Sequence, residues 1–469
     1  MAKRINPEAG KVQLIWEGVL KWTTFGLGCL HMVLSLLRYY DGDIRESLLK
    51  IEKWAVILLA IAVISYVLYT KFKAPKLMFR IQNFTKGLFR PELKILTVLF
   101  FWYVLCVLSA NEVYTANFWQ LNDTMLFDTL MSFFFLFIFG YLFHGDAGKK
   151  MLEILFYVLT AVLTVLMVYV LWTVLKPSVI TLPSGGQIGM GEHEGTTRLF
   201  INCHPNTTGA IAEIVLMMCV YMIVTKKGIL RWLYVAAAAV HYAILILSDS
   251  RTCILTTALT LGILIFKFCI NVLEEKKKLQ VQRVVLVALA GIACGAVVFL
   301  LRKPMRLGYE GISHFSEYTG INSASTLRDL EATTNGRVLW WKASFQSAFS
   351  DIRHFFFGVT PVGVISEVKR FTGYEFYTHN QFCEILVSNG VPGMLMYLAW
   401  LVLIARTCIR MLRGKVNGVF KGIEVILGMI FMLVIANLME ATLLYYHWFP
   451  EEIFFLLCGF VTYRECNLG

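Results

Sequence analysis

The stretch YTHNQFCEILVSNGVPGMLMY, residues 377–397, decides how this part of the chain folds. Most of it belongs to an apolar run that predicts a membrane-spanning helix near 381–404, because about 20 apolar residues cross a bilayer. The start of the run is polar, with His379, Asn380 and Glu384 in or beside its first turn. Ionisable groups at a membrane helix are costly, and they therefore indicate a functional site.

The composition places the whole chain in a membrane. Of its 469 residues, 58% are hydrophobic and 16% are charged, whereas a soluble domain has about 25% charged residues. The net charge of +12 does not indicate a nucleic-acid partner, because membrane proteins collect Lys and Arg on their cytoplasmic loops. The expected surroundings are therefore membrane lipid, without nucleic acid.

Hydrophobic runs predict an all-α, polytopic membrane protein, because helices satisfy their own backbone groups in lipid. We read the chain as a single membrane domain over residues 1–469. About twelve spans are expected from the length needed to cross a bilayer. They lie near residues 13–37, 54–70, 93–110, 125–144, 152–175, 209–224, 230–247, 252–272, 283–301, 381–404, 423–444 and 451–464.

The distribution of Lys and Arg predicts the orientation. Short segments such as TKKGILR and EEKKKLQVQR carry positive charge, whereas NEVYTANFWQLNDT carries none and is read as an outer loop. Because positive loops stay in the cytoplasm, both termini are expected there. The chain then divides into the first five helices (1–175), an outer loop (176–208), helices six to nine (209–301), a large extracytoplasmic loop (302–380) and the last three helices (381–469).

The large loop contains a predicted interfacial helix. The segment NGRVLWWKASFQSAF has apolar residues at Val338, Trp341, Phe345 and Phe349, which is a helical spacing. Asn335 is its expected N-cap. The two tryptophans are typical of a helix that lies at the membrane interface.

Two predicted helices begin with arginine, namely Arg337 in the large loop and Arg251 after SDS. A helix N-terminus already carries about half a positive charge, so an added arginine favours a bound anion. The guanidinium suits phosphate because it can bond two oxygens at once. Other interpretations are open: Arg251 can reach towards the interface, and Arg337 can pair with Glu331 or Asp329.

Further polar residues lie at the outer ends of helices. The segment RLFINCHPNTTGA leads into the sixth helix, where Asn206, like Asn380, has the alternative of an ordinary cap. Asp249 or Ser250 is the expected cap of the eighth helix. His379 taken alone is more typical of an interfacial histidine than of a catalyst.

Three carboxylates, Glu213, Glu384 and Glu440, lie in or near the outer portions of their helices. Such residues indicate function, with hydrogen bonding between helices as the alternative. The bilayer midplane otherwise carries almost no charge, which argues against an ion-coupled transporter. No outward cluster of His, Cys and carboxylate has metal-ligand spacing, so neither a metal nor another cofactor is expected.

Three segments, LSDSRTCILTTALTLGILIF, NGRVLWWKASFQSAFSDIRHFFFGVTP and YTHNQFCEILVSNGVPGMLMYL, resemble the O-antigen ligase and O-antigen polymerase family. Members of that family show SR before a helix, GR followed by W, and HN followed by an acidic residue and G-x-x-G. RLFINCHPNTTGA resembles the family's upstream PN segment, so the resemblance spans residues 198–400. GVTPVG, from Gly358, departs from the more common GxG.

The resemblance implies a GT-C-like glycosyltransferase of surface polysaccharide biosynthesis at the outer face of the bacterial inner (cytoplasmic) membrane. Its donor would be an undecaprenyl-diphosphate-linked glycan and its acceptor a glycan or lipid-glycan. No metal would be needed, and ligase and polymerase activities stay open. The implied catalytic residues are His379, Arg337 and Arg251, and the expected substrate-binding residues are Asn380, Glu384, Arg198, His204, Asn206 and Asp249.

Three other classes of function stay open from the sequence. A lipid-linked glycan flippase would share an outward phosphate site but would need a matching inner one, which the sequence does not offer. A small-solute transporter would need polar groups through the midplane. A scaffold without activity would tolerate the loss of both arginines.

Overall fold

The protein is mostly helical in the computed structural model. The described residues are 18–19, 22–33, 36, 50–58, 61, 90–110, 118–136, 140, 145–174, 180–181, 187–193, 196–201, 205–275, 337–413, 421–445 and 448–466. The predicted span 283–301, the loop residues 302–336, the cap Asn335 and the site residue His204 lie outside them.

The elements follow one another in chain order. The helices are α1 (Pro91–Leu108), α2 (Phe118–Leu130), α3 (Gly145–Val174), α4 (Pro205–Thr225), α5 (Ile229–Leu247), α6 (Arg251–Glu275), α7 (Arg337–Ala348), α8 (Ile352–Phe357), α9 (Thr360–Thr372), α10 (Gln381–Leu412), α11 (Ile423–Ala436) and α12 (Phe449–Cys466). The strands are β1 (Ile180–Thr181), β2 (Gln187–His193) and β3 (Thr196–Ile201). Residues 22–33 and 50–58 are helical as well.

Five helices in the described part of the chain are long and apolar enough to cross a membrane. They are α1, residues 148–172 of α3, α4, α5 and α10. The expected total of about twelve spans, set by the length rule, stays a prediction. The helix in the large loop is confirmed as α7, and two short helices, α8 and α9, follow it.

Two helix boundaries differ from the sequence prediction. Helix α2 begins at Phe118, inside the segment expected to be an outer loop, and a π-helical turn, Met131–Leu136, follows it. The span predicted at 423–444 ends at Ala436, because Asn437 turns the chain. The Asn437 side-chain amide donates to Leu433 O at 2.8 Å, and its Oδ1 accepts from Thr442 N at 2.8 Å. Such local side-chain bonds compete with helix continuation.

The outer loop predicted at 176–208 contains a small antiparallel sheet, which the all-α prediction lacks. Strand β2 pairs with both β1 and β3, and His193 lies opposite Thr196. The sequence of β3, TTRLFI, is rich in β-branched and aromatic residues, which favour strands. The fold is therefore mostly helical with a three-stranded sheet.

The chain divides into two compact units. The first comprises Met1–Met151, Pro392–Asn417 and Leu444–Gly469, and the second comprises Leu152–Val391 and Gly418–Leu443. The division falls within α10, so that each unit contains part of this helix. The candidate site described below belongs to the second unit.

Helix α4 is the central helix of the second unit, where it packs against α5, α6 and α11. It is apolar around its circumference and mostly buried, as expected of a helix surrounded by others. Glu213 on α4 accepts a hydrogen bond from the Thr256 hydroxyl of α6 at 2.8 Å. For Glu213, therefore, the structure supports hydrogen bonding between helices.

Helix α10 is broken at Gly390, where φ is +67°. The break exposes Val387 O, which accepts a hydrogen bond from Val359 N at 2.9 Å. A Cβ at Gly390 would lie 2.5 Å from a carbonyl oxygen of α8, and one at Gly358 would lie 2.3 Å from Val387 O. Irregular backbone at membrane depth is tolerated where protein covers it. Both glycines are therefore needed for the contact between α8 and α10, and Gly358 adopts the positive φ that a turn requires.

Aromatic packing forms the core of the first unit. The Trp400 ring stacks on Phe455 with a centroid separation of 5.2 Å, and Phe455 lies 5.0 Å from Phe133. Gly140 lies against Gly459 so closely that a Cβ would come within 2.4 Å of the Gly459 backbone. This packing joins α12 to the π-helical turn after α2.

Candidate active site

The polar first turn of α10 is a scaffold. The Asn380 side-chain oxygen accepts hydrogen bonds from Phe382 N at 2.9 Å and from Cys383 N at 3.2 Å. It is therefore the N-cap of α10, which is the alternative that the sequence left open. Glu384, fully buried, accepts a hydrogen bond from the Thr378 hydroxyl at 2.7 Å.

The same turn holds the segment that follows α11. The Asn380 amide donates to Leu438 O at 2.9 Å, and Gln381 N donates to Asn437 O at 3.0 Å. The Gln381 side-chain oxygen in turn accepts from Leu443 N at 2.9 Å. These bonds fix the chain on both sides of Glu440.

Glu440 collects three hydrogen bonds from distant parts of the chain. Its Oε1 accepts from Arg337 Nη2 at 2.8 Å and from Asn206 Nδ2 at 2.8 Å. Its Oε2 lies 3.1 Å from His379 Nδ1. We call these four residues the Glu440 hub. Arg337 is thus paired with Glu440, and the alternative partners Glu331 and Asp329 lie outside the described residues.

The hub is reachable from outside the protein. The side chains of Glu440, Arg337 and His379 are 13%, 18% and 21% exposed. An ionised Glu440, which Arg337 and Asn206 also hold, accepts the proton that His379 Nδ1 carries. Nε2 is then the imidazole nitrogen that carries the lone pair. This tautomer allows His379 to accept a proton from a substrate hydroxyl.

Two residues at the site have a positive φ without being glycine. The φ angle is +48° at both His379 and Asp249. His and Asp tolerate this region better than most residues, but it still costs free energy. At His379 the strain is held by neighbours, since Trp341 Nε1 donates to Thr378 O at 3.1 Å and the Trp340 ring lies 5.0 Å from the imidazole.

The first turns of α4 and α6 lie side by side. A Cβ at Gly209 would come within 2.6 Å of Ser250 Cβ, so this glycine allows the close approach. Cys253 Sγ lies 3.9 Å from Asn206 O. Arg251, whose side chain is exposed, therefore begins its helix beside the turn that supplies Asn206 to the hub.

Arg198 and Asp249 form a separate pair. Both are buried, and Arg198 Nε lies 4.0 Å from Asp249 Oδ2. The structure thus brings Arg337, His379 and Asn206 together on one carboxylate, and it joins Arg198 with Asp249 on another. Within the described ranges, no three His, Cys, Asp or Glu side chains are placed to hold a metal ion. Activity without a metal stays a prediction.

Sequence reasoning missed Glu440 as the centre of the site. It singled out Glu440 as a costly carboxylate near a membrane, but nothing in one sequence connects it to residues 61, 103 and 234 positions away. The available signal was the cost itself, because a carboxylate beside lipid needs several donors.

Sequence reasoning also missed a buried cluster in the first unit. His31 Nδ1 lies 2.9 Å from Glu52 Oε1, and its Nε2 lies 3.8 Å from Glu452 Oε1. All three side chains are fully buried. We call this group the His31 cluster.

Comparison with known proteins identifies the middle of the chain. Residues 242–398 match the family model described as O-Antigen ligase, a segment that includes Arg251, Arg337 and His379. Asn206 and Glu440 lie outside the matched segment. No curated protein matches the chain. The match supports a multi-pass membrane enzyme of surface polysaccharide biosynthesis. The predicted resemblance is confirmed over residues 242–398, which are similar to the O-antigen ligase family.

Proposed function

We propose that this protein is a glycosyltransferase that transfers or polymerises an undecaprenyl-diphosphate-linked glycan at the outer face of the cytoplasmic membrane. The observation that carries the proposal is the Glu440 hub, in which one carboxylate orients His379 and Arg337 together. An imidazole beside a guanidinium fits a reaction in which a hydroxyl loses a proton while a phosphate leaves.

The reaction requires a base for the acceptor hydroxyl and a leaving group that can carry negative charge. The acceptor hydroxyl attacks the anomeric carbon of the donor sugar, and its proton passes to His379 Nε2. The bond from that carbon to the diphosphate oxygen breaks, and the electron pair leaves with the diphosphate. Glu440 then stabilises the imidazolium through Nδ1–H, as a buried carboxylate does in other base–carboxylate pairs.

Arg337 and Arg251 neutralise the leaving diphosphate in this proposal. Arg337 uses Nη2 for Glu440, and a guanidinium has five N–H donors in a planar fork. Its remaining donors can bond phosphate oxygens in the same plane. Arg251 lies at the start of α6, where the helix N-terminus adds partial positive charge. Two arginines and a helix terminus can therefore neutralise the charge of a diphosphate without a metal. The lipid tail of the donor would lie among the membrane lipids.

The proposal is tested at Glu440. In the Glu440→Gln variant, the amide oxygen takes the position of Oε1, because Arg337 and Asn206 both donate hydrogen bonds there. The amide nitrogen then faces His379 Nδ1 and donates to it, so that the proton moves to Nε2 and the base is lost. We expect product formation from lipid-linked glycan to fall about 10²–10⁴-fold, the range for a positioned acid–base group.

Glu213→Gln is the matched control, because Glu213 is a buried carboxylate of the second unit, outside the Glu440 hub, that accepts a hydrogen bond from the Thr256 hydroxyl. Its folded protein should keep its rate of turnover. Glu440→Gln with near-normal turnover would show that the tautomer of His379 does not matter and would refute the base role. Accumulation of single repeat units in cells without the protein would indicate a polymerase, and long lipid-linked chains a ligase.

The His31 cluster favours a second candidate, an ion-coupled membrane transporter. Buried ionisable residues mark ion pathways in transporters, and His31, Glu52 and Glu452 form such a group. This candidate predicts glycan movement or solute uptake that depends on a proton gradient in sealed vesicles. Transfer activity in detergent, where no gradient exists, would contradict it.

A further inference from the structure

The segment between α9 and α10 presents aromatic side chains beside His379. Tyr374 is 61% exposed, and Phe376 and Tyr377 are each 43% exposed. We call these three residues the aromatic shelf. Large aromatic side chains usually lie inside proteins because burying them is favourable, so a group of three at the mouth of a polar site indicates a ligand surface.

The shelf is joined to the site by ring stacking. The Phe376 ring stacks on Trp340 with a centroid distance of 4.8 Å and an interplanar angle of 26°. Trp340 lies 5.0 Å from the His379 ring at 31°. Phe376 and the imidazole therefore share Trp340 as a neighbour, and a saccharide of several rings on the exposed part of Phe376 can extend to the site.

The shelf is held at both ends. Gly373 ends α9 with a φ of +80°, and the Thr372 hydroxyl accepts a hydrogen bond from Tyr374 N at 3.1 Å. At the other end, Thr378 donates its hydroxyl to Glu384 at 2.7 Å and accepts Trp341 Nε1 on its carbonyl. A surface fixed in this way binds without a large ordering cost.

The surroundings of the shelf indicate water and not lipid. Lys369 and Glu375 form an ion pair whose side chains are 54% and 65% exposed, and Glu375 lies between two shelf residues. A charged pair of this kind is costly in hydrocarbon. The ligand should therefore be hydroxylated and uncharged at the contact, with one apolar face.

We propose that the aromatic shelf binds a saccharide ring of the glycan acceptor, and that Phe376 is the residue on which the ring stacks. A pyranose has C–H groups on one face and hydroxyls at its rim. The C–H face fits the electron-rich face of an aromatic ring, while the hydroxyls stay in water. The assignment of this saccharide to the acceptor rests on the proposed function, whereas the binding of a saccharide to the shelf does not.

The test uses the whole protein in detergent and a saccharide without a diphosphate. Oligosaccharides released by hydrolysis from the cell's own surface polysaccharide are titrated against wild type and variants. Phe376→Ala should weaken binding about threefold to tenfold, the equivalent of one aromatic contact, and Phe376→Trp should retain it. Phe376→Leu, which keeps apolar volume, should behave like the Ala variant and covers the case in which Ala fails to fold.

Phe349→Ala is the control, because Phe349, directly after α7, is 60% exposed and lies outside the shelf. Its affinity should equal that of wild type. Unchanged binding in Phe376→Leu, equal weakening in Phe349→Ala, or a wild type that does not bind the oligosaccharide would each overturn the inference. None of these readouts needs turnover, so they are separate from a failure of the proposed function.

Rate measurements identify the source of the saccharide. With lipid-linked donor saturating, Phe376→Ala should raise the acceptor concentration that gives half of the maximal rate, while the maximal rate changes little. A rise in the half-saturating donor concentration instead would place the donor sugar on the shelf and overturn the assignment to the acceptor.

Discussion

The Glu440 hub and the His31 cluster have the same chemistry in different surroundings. In each, a histidine Nδ1 lies within hydrogen-bond distance of a glutamate oxygen, at 3.1 Å in the hub and 2.9 Å in the cluster. The hub residues are partly exposed and include a guanidinium, whereas all three members of the His31 cluster have no exposed surface. The two groups are therefore expected to differ in function.

The difference indicates that a histidine–glutamate pair can take part in catalysis only where a substrate can reach it, and that a fully buried pair contributes to stability. A base must meet its substrate, so a catalytic histidine needs one nitrogen at a surface that a ligand can reach. A buried hydrogen-bonded pair contributes through what is lost when one partner is removed, because the other polar group is then left without compensation. On the proposed glycosyltransferase function, we accordingly assign turnover to the hub and fold stability to the His31 cluster.

The largest expected effect separates the two groups by activity. Arg337→Lys keeps the charge but loses the planar fork that serves Glu440 and a phosphate at once. Turnover should fall about 10²–10³-fold, the loss for one preorganised donor at a developing charge. His31→Gln should leave the turnover of folded protein unchanged, measured with the same lipid-linked donor.

The opposite result would reverse the assignment. If His31→Gln abolished transfer in protein that still elutes as a folded species, while Arg337→Lys remained active, the buried cluster would be the reacting group. Arg251→Lys adds a further distinction, because normal activity there would favour an arginine that only reaches towards the interface.

The sequence predicted much of this site because its signals were local. Long apolar runs predicted α4, α5 and the start of α10 within a few residues, since lipid leaves a chain no other way to satisfy its backbone. Arg337 and His379 were selected because a cation at a helix start and an imidazole beside lipid each violate a local preference. In the structure, the side chains of both residues contact the Glu440 carboxylate.

What the sequence could not predict depended on distant contacts. The partner of Arg337 was sought at Glu331 or Asp329, since nearby charges are the only ones a sequence can pair. The kink at Gly390 and its contact with Gly358 need a backbone approach of two segments that are far apart in the chain. The sheet was missed because short strands carry a weaker pattern than membrane helices.

A smaller effect, on stability, tests the other half of the comparison. Glu52→Ala removes one partner of a buried pair and should lower the free energy of unfolding by about 3–5 kcal/mol. Glu153→Ala, which breaks the partly exposed pair with Lys226, should cost less, because solvent screens that pair. Thermal unfolding in detergent compares the two variants. Equal losses would contradict the idea that burial sets the contribution.

The smallest expected effect concerns a histidine–carboxylate pair whose carboxylate is exposed. Asp351 is 49% exposed, caps α8 by accepting His354 N at 2.8 Å, and contacts the buried His354 ring. The His354 backbone N–H, followed by the His354 side chain, lowers the pKa of Asp351 below its ordinary value. A lowered carboxyl pKa stabilises the fold above the unfolded-state pKa, and that contribution is lost as pH falls through the folded-state pKa.

Asp351→Ala should cost about 1 kcal/mol at pH 7, and the difference from wild type should shrink only in acid, below about pH 4. Asp351→Asn keeps the cap without the charge, so its stability relative to Ala should not vary with pH in that range. If Asp351→Ala is as stable as wild type at pH 7, the cap contributes nothing, and partial exposure is then enough to cancel a histidine–carboxylate contact outside the hub.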